Sequence, residues 1–224
     1  MTYLLLIIVT LVMGFATQAY INSSYSKYSK VSAGVSMTGA QMAEKMLRDN
    51  GVTDVVVKPV SGTLTDHYDP RSKTVNLSEG VYGSSSIAAL AVACHECGHA
   101  VQHATKYAPM TVRSALIPLA NFGSSAWMVL LIIGILLNIM GLVLIACIVY
   151  GFAVLFQVVT LPVEFNASSR ALSYLKSSQG LALQGSTYSG AKTVLRAAAL
   201  TYVAAALTSI MQLLYYLSIF TSRR

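Results

Sequence analysis

The residues most able to do chemistry are His95-Glu96-Cys97-Gly98-His99, an H-E-x-x-H pattern within a stretch that predicts a helix over 87–105. On a helix of 3.6 residues per turn, His95 and His99 lie about 40° apart and one turn apart, so both imidazoles can reach one metal ion. Glu96 lies about 100° from His95, close enough to hold a water molecule and take its proton. The pattern predicts metal-assisted hydrolysis with Glu96 as the catalytic base.

A catalytic zinc site needs a third protein ligand and one open position. After Glu96 the chain contains no Asp and a single Glu, Glu164, which is therefore the acidic candidate. His103 competes with it, but eight residues of helix separate His103 from His95 by about 12 Å, too far for one ion. His103 is expected to line the cleft or to support a ligand. Gly98 costs a helix about 1 kcal/mol relative to Ala, which predicts close packing at that position.

The composition excludes several classes of protein. Hydrophobic residues make up 55% of the 224 residues and charged residues 10%, against about 25% charged in an ordinary soluble domain. A soluble enzyme and a disordered protein are excluded, and three cysteines provide no disulfide framework. The net charge of +7 does not indicate nucleic-acid binding, because the basic residues form no dense patch with interleaved aromatic residues.

Charge-free stretches divide the chain into membrane and polar parts, since a spanning helix takes about 20 apolar residues. The 49 residues of 114–162 contain no charge and fit two spans with a turn at Asn138 and Gly141. The stretch 3–21 could instead be a signal peptide, but no basic segment precedes it. The predicted order is transmembrane helix 1 at 3–21, a catalytic part at 22–113, transmembrane helices 2 and 3 at 114–137 and 141–162, a segment with the third ligand at 163–196, and transmembrane helix 4 at 197–222.

Two consecutive spans return the chain to the side it left, so 22–113 and 163–196 are expected to face the same compartment. These stretches hold nine and four of the fifteen Lys and Arg residues. The positive-inside rule places both in the cytoplasm. Arg223 and Arg224 fit this orientation poorly, because a complete fourth span would place them outside.

The elements expected to present the metal ligands form a small α+β part. Residues 39–49 predict an amphipathic helix, and 55–60 predict a short β-branched strand. A turn is expected at Asp69-Pro70, followed by a half-buried strand at 73–77. The fold class is therefore a mainly α integral membrane protein with four transmembrane helices and a small α+β catalytic part.

Three segments of the sequence resemble the YugP-type neutral zinc metallopeptidases of bacterial membranes. They are His95–Gln102, Leu161–Ser168 and Ala197–Ala205, and the resemblance extends from about residue 36 to about residue 214. It implies a zincin-like catalytic part of the His-His-Glu, or gluzincin, type. It also implies one zinc ion per chain, with His95, His99 and Glu164 as ligands and Glu96 as the base of an endopeptidase.

The chain is more distantly similar to HtpX-type and CAAX prenyl proteases, which also separate H-E-x-x-H from a ligand Glu by membrane helices. Those families carry Glu-x-x-Ala-Asp at the second site, whereas this chain has Ser168 in place of the Asp. Asn166 or Ser168 is expected to take over the orientation of an imidazole by a hydrogen bond. His67, Tyr68 and Arg170 are candidate donors to the oxyanion, and strand 73–77 is interpreted as an edge strand on which a peptide pairs.

These features favour a zinc endopeptidase of the bacterial plasma membrane with its catalytic part in the cytoplasm. Its partners would be the lipid bilayer and an unfolded or membrane-associated polypeptide, and no nucleic acid is expected. An intramembrane-cleaving metalloprotease is the first alternative, suggested by the apolar run 87–93, but such enzymes use an Asp ligand and this chain has no Asp after Asp69. The second alternative is a zinc-holding scaffold or chaperone, to which Cys94 and Cys97 could add ligands, although helical geometry places neither on the face of His95.

Overall fold

A computed structural model describes residues 3–222, so the expectation for Arg223 and Arg224 lies outside the described residues. The chain is mainly helical, as predicted, with one small sheet. The elements in chain order are α1 (Tyr3–Tyr28), α2 (Gly39–Asp49), β1 (Val56–Val60), β2 (His67–Asp69), β3 (Thr74–Ser78), α3 (Glu79–Tyr82), α4 (Ile87–Ala104), α5 (Ala108–Leu136), α6 (Met140–Lys176) and α7 (Gly185–Ser222).

Four helices, α1, α5, α6 and α7, are long and apolar enough to cross a membrane. Large apolar side chains on them are exposed: Phe15, Phe122 and Leu136 are 73%, 61% and 77% exposed. Such a surface is disfavoured in water and suits contact with lipid. All four helices extend beyond the predicted spans at one end or both, because a helix need not end where its apolar stretch ends.

The apolar compact unit contains the described residues of 1–17, 108–162 and 201–224. Its core includes an aromatic cluster in which the Trp127 ring lies 4.6 Å from Tyr150 and 5.3 Å from Tyr216. The Tyr150 hydroxyl donates a hydrogen bond to Gln212 at 2.7 Å, so a polar group among apolar helices has a partner. Helices α5 and α6 are separated at the predicted turn, where Asn138 has φ of 55°, a left-handed conformation that Asn tolerates.

The polar compact unit contains residues 18–107 and 163–200, and it is built around α4. Helix α2 begins at the predicted position because Thr38 and Gln41 form a capping box. Its buried side chains, which include Met42 and Met46, belong to the same apolar core as Leu77 and Leu90. This core holds the sheet and the two helices α2 and α4 together.

The sheet differs from the sequence interpretation in strand order. Its order is β1-β3-β2, with β1 parallel and β2 antiparallel to β3. The interpretation of 73–77 as an edge strand is therefore wrong: β3 is the central strand, and Val75 and Leu77 are completely buried. Residues 67–69, which include the first residue of the predicted Asp69-Pro70 turn, form an edge strand, β2, whose backbone pairs with Thr74–Asn76.

Candidate metal centre

Helix α4 presents the H-E-x-x-H residues from inside the polar unit. Its first turn is capped by Ser86, whose hydroxyl accepts a hydrogen bond from the backbone N–H of Ala89. Gly98 packs directly against α6: a Cβ at this position would lie 2.8 Å from the carbonyl oxygen of Ala167. The close packing predicted from Gly98 is confirmed, and it brings the Ala167 turn of α6, which includes Glu164, next to the two histidines.

The side chains of His95, His99 and Glu164 converge on one point. Their ligand atoms lie within 4.8 Å of one another; His99 and Glu164 are buried, and the side chain of His95 is 11% exposed. The Glu164 Oε2 atom is 3.2 Å from His95 Nε2 and 3.6 Å from His99 Nε2. Ligands of a tetrahedral zinc with bonds of about 2.1 Å lie about 3.4 Å apart, so both distances to Glu164 match the spacing that one zinc ion requires. The three residues could hold a metal and leave a fourth position open.

Glu96 lies on the same helix and is only 8% exposed. Burial is the main cause that raises the pKa of Glu96, and the nearby His95 and His99 oppose it. A carboxylate with a raised pKa takes up a proton more readily than a solvated one. Its position and environment suit a general base beside the converging ligands.

His95 and His99 each have a hydrogen-bond partner on Nδ1, the ring nitrogen that faces away from Glu164. Ser168 Oγ lies 3.1 Å from His95 Nδ1, and Gln102 Oε1 lies 3.0 Å from His99 Nδ1. Asn166 does not contact an imidazole; its Oδ1 accepts hydrogen bonds from Gln102 Nε2 at 3.0 Å and Arg170 Nε at 2.8 Å. Asn166 and Ser168 were the two candidates for a hydrogen bond to an imidazole. Both lie near the site, and Ser168 makes the contact.

Gln102 is the residue of this site that the sequence interpretation missed. It follows His99 by three residues, a spacing that places two side chains on one helix face, and this spacing was the available signal. Its partners Val163 and Asn166 are 61 and 64 residues away in the sequence. No local sequence pattern predicts contacts between residues so far apart in the chain.

The remaining candidates lie outside the His-His-Glu group. His103 Nδ1 is 2.8 Å from the Tyr68 hydroxyl, and both line a cavity of about 320 Å³ that also contains Asp54 and Lys73. Burial raises the pKa of Tyr68 to about 12, so its hydroxyl stays protonated and able to donate. His67 contacts the Thr65 carbonyl and the Asn76 amide.

Two cysteines flank the histidines but do not join the metal-binding group. Cys94 and Cys97 are fully buried, and burial raises the pKa of both thiols. The Cys97 thiol donates to the Ala43 carbonyl at 3.4 Å. Among the described residues the converging group is His95, His99 and Glu164, without a cysteine, so the geometry does not favour a closed site with four ligands.

Replacement of Gly98 by Ala is expected to weaken both folding and metal binding. The added Cβ would meet the Ala167 backbone, which cannot move without displacing α6. Overpacking of this kind costs about 1–3 kcal/mol and outweighs the gain of about 1 kcal/mol in helix propensity. The thermal midpoint and the zinc affinity should both fall. Gly151→Ala in α6 is the control, because its Cβ would meet nothing within 4 Å; equal behaviour of the two variants would contradict the close packing.

A His-His-Glu group whose histidines lie on an H-E-x-x-H helix is typical of membrane metallopeptidases when the described residues also form four helices apolar enough to cross a membrane. Comparison with known families agrees with that class. The chain belongs to the family described as "Putative neutral zinc metallopeptidase", whose model matches residues 3–221. It is 46% identical to "Putative membrane protease YugP" of Bacillus subtilis (strain 168) over 224 residues, covering 100% of this chain and 99% of that protein. No solved structure matches the chain.

Proposed function

We propose that the protein is a membrane-bound zinc endopeptidase in which His95, His99 and Glu164 hold the ion and Glu96 acts as the base. The observation that supports this most directly is the convergence of the three ligand atoms within 4.8 Å. Zinc in a three-ligand site acts as a Lewis acid that polarises a carbonyl and acidifies a water molecule.

The chain's own residues supply the proton transfers. Glu96 takes the proton from the attacking water and delivers it to the leaving amine, as its burial and raised pKa favour. Ser168 and Gln102 hold His95 and His99 from their Nδ1 atoms, so the Nε2 atoms remain turned toward Glu164. Tyr68, held by His103, is the candidate donor to the developing oxyanion.

The expected substrate is an unfolded or membrane-associated polypeptide bound in an extended form. Strand β2 is the candidate surface, since it lies at one end of the sheet order and carries Tyr68, the partner of His103 on α4. An extended chain can add to such an edge by backbone hydrogen bonds. Because β2 is only three residues long, it can pair with only a short segment of substrate backbone. Backbone pairing of this kind selects little for the substrate sequence.

The test is zinc-dependent cleavage of an unfolded protein by the detergent-purified chain. We expect cleavage by the wild type, loss after chelation, and recovery when zinc is added. A His95→Ala/His99→Ala double variant prepared in the same way should remain inactive with zinc. Cleavage by the double variant would identify a contaminant, and a wild type that binds zinc but cleaves nothing would support the scaffold alternative.

The catalytic part is proposed to face the cytoplasm of a bacterial plasma membrane, supported by its share of the Lys and Arg residues. Cysteines introduced at the exposed Lys58 and Lys192 should resist an impermeant maleimide in intact cells and react after lysis. A cysteine at Asn138, in the turn between α5 and α6, should react in intact cells. The reverse pattern would invert the orientation, and different results at Lys58 and Lys192 would place the two polar stretches on opposite sides.

A further inference from the structure

Gln102 is a completely buried polar side chain whose hydrogen-bonding groups are all engaged. Its exposed fraction is 0%. The Nε2 atom donates to the Val163 carbonyl at 2.8 Å and to Asn166 Oδ1 at 3.0 Å, and Oε1 lies 3.0 Å from His99 Nδ1. A buried amide without partners is costly, so this arrangement is strongly held.

The orientation of the Gln102 amide is determined by partners that have only one polarity. The backbone carbonyl of Val163 can only accept, so it must face the Gln102 NH₂ group. Arg170 can only donate, which turns the oxygen of Asn166 toward it and toward the same NH₂ group. Both ends of the network therefore require the Gln102 oxygen to face His99.

An amide oxygen facing a ring nitrogen requires that nitrogen to carry the proton. His99 is thus fixed with its proton on Nδ1, which leaves the lone pair on Nε2, the atom 3.6 Å from Glu164 Oε2. The other histidine is not fixed in this way, because the Ser168 hydroxyl beside His95 Nδ1 can donate or accept. The two ligands differ in how far the protein determines their tautomer.

We propose that Gln102 is the positioning residue of the metal centre. It selects the metal-binding tautomer of His99 and also ties α4 to the Val163 carbonyl, one residue before Glu164. One buried amide thereby sets a ligand on α4 and the α6 turn that carries the third ligand. This inference rests on the proposed zinc site, and it makes a prediction about the metal-free chain as well.

The first test is ¹⁵N NMR of the histidine rings in the full-length, metal-free chain in detergent. The chain has four histidines, and the His99 signals are those lost in His99→Gln. At a pH high enough that the ring carries a single proton, His99 should carry that proton on Nδ1. A wild-type His99 protonated on Nε2 would overturn the proposal without any Gln102 variant.

The second test compares two replacements of similar length. Gln102→Met removes the acceptor, so His99 should lose its preference for the Nδ1 proton and zinc affinity should fall by about 10- to 100-fold. Gln102→Glu keeps an oxygen facing His99 but loses the NH₂ donor to Val163 and Asn166, so the tautomer should be retained in a chain that still folds. Zinc affinity is measured by competition with a chelating dye, and thermal melting shows whether each variant is folded.

Ser168→Ala is the control, because it removes the hydrogen-bond partner of His95 and leaves that of His99 in place. It should lower zinc affinity while leaving the His99 tautomer unchanged. A folded Gln102→Met chain with wild-type zinc affinity, or with the proton still on Nδ1, would overturn the proposal. If Gln102→Met does not fold, the tautomer of wild-type His99 decides. A chain that shows the expected tautomer but cleaves nothing would contradict the peptidase function and leave the role of Gln102 standing.

Discussion

Glu96→Gln is expected to lower the rate of peptide cleavage by about 10²- to 10⁴-fold, the usual contribution of a general base. Glutamine has nearly the same size and can hold a water molecule, but it cannot take up a proton at neutral pH. The buried environment of Glu96 should accept the neutral amide, since burial already disfavours the charged carboxylate. Folding and zinc content should therefore stay close to those of the wild type.

The measurement is single-turnover cleavage of an unfolded protein, with the zinc content of each preparation determined in parallel. Glu79→Gln is the control, because Glu79 is exposed on α3 and outside the His-His-Glu group; it should cleave at the wild-type rate. Equal rates for Glu96→Gln and the wild type, both loaded with zinc, would remove Glu96 from the proton transfer.

The convergence of His95, His99 and Glu164 could be anticipated because two independent constraints pointed to it. Helical periodicity places the histidines on one face, and Glu164 is the single acidic residue after Glu96. The structure brings these three residues together. Gln102 could not be placed in the same way, since its partners depend on how α6 packs against α4, which no local pattern records.

The strands show a similar division between local and distant information. The β-branched run of β1 and the alternation of β3 are local, and both strands were predicted nearly at their observed bounds. Strand order is not local. In the sequence β2 lies between β1 and β3, yet in the sheet β1 pairs in parallel with β3 and not with β2. Strand β2 was missed because it has only three residues and ends at Asp69, where Asp69-Pro70 is a stronger turn signal than strand signal.

Glu164→Ala is expected to lower zinc affinity strongly. Loss of a residue that only supports a metal ligand typically lowers affinity by about 10- to 100-fold, and loss of Glu164 should exceed this. Glu164 is 3% exposed and contacts both His95 and His99, so its loss removes one of three protein donors and the only anionic one. The remaining two imidazoles cannot complete the set that a catalytic zinc requires. Cleavage should be lost at zinc concentrations that load the wild type but are too low to load the variant.

Glu164→Gln separates the charge of this residue from its packing, because the amide fills the same space. Both variants should fold, and the loss of zinc affinity should be large in each if the carboxylate itself binds the ion. Titration of the metal-free chains with zinc against a chelating dye measures the difference. Unchanged affinity in a folded Glu164→Ala chain would exclude Glu164 as a ligand. In that case His103 could not replace it on the unbroken helix α4, since it lies about 12 Å along the axis from His95.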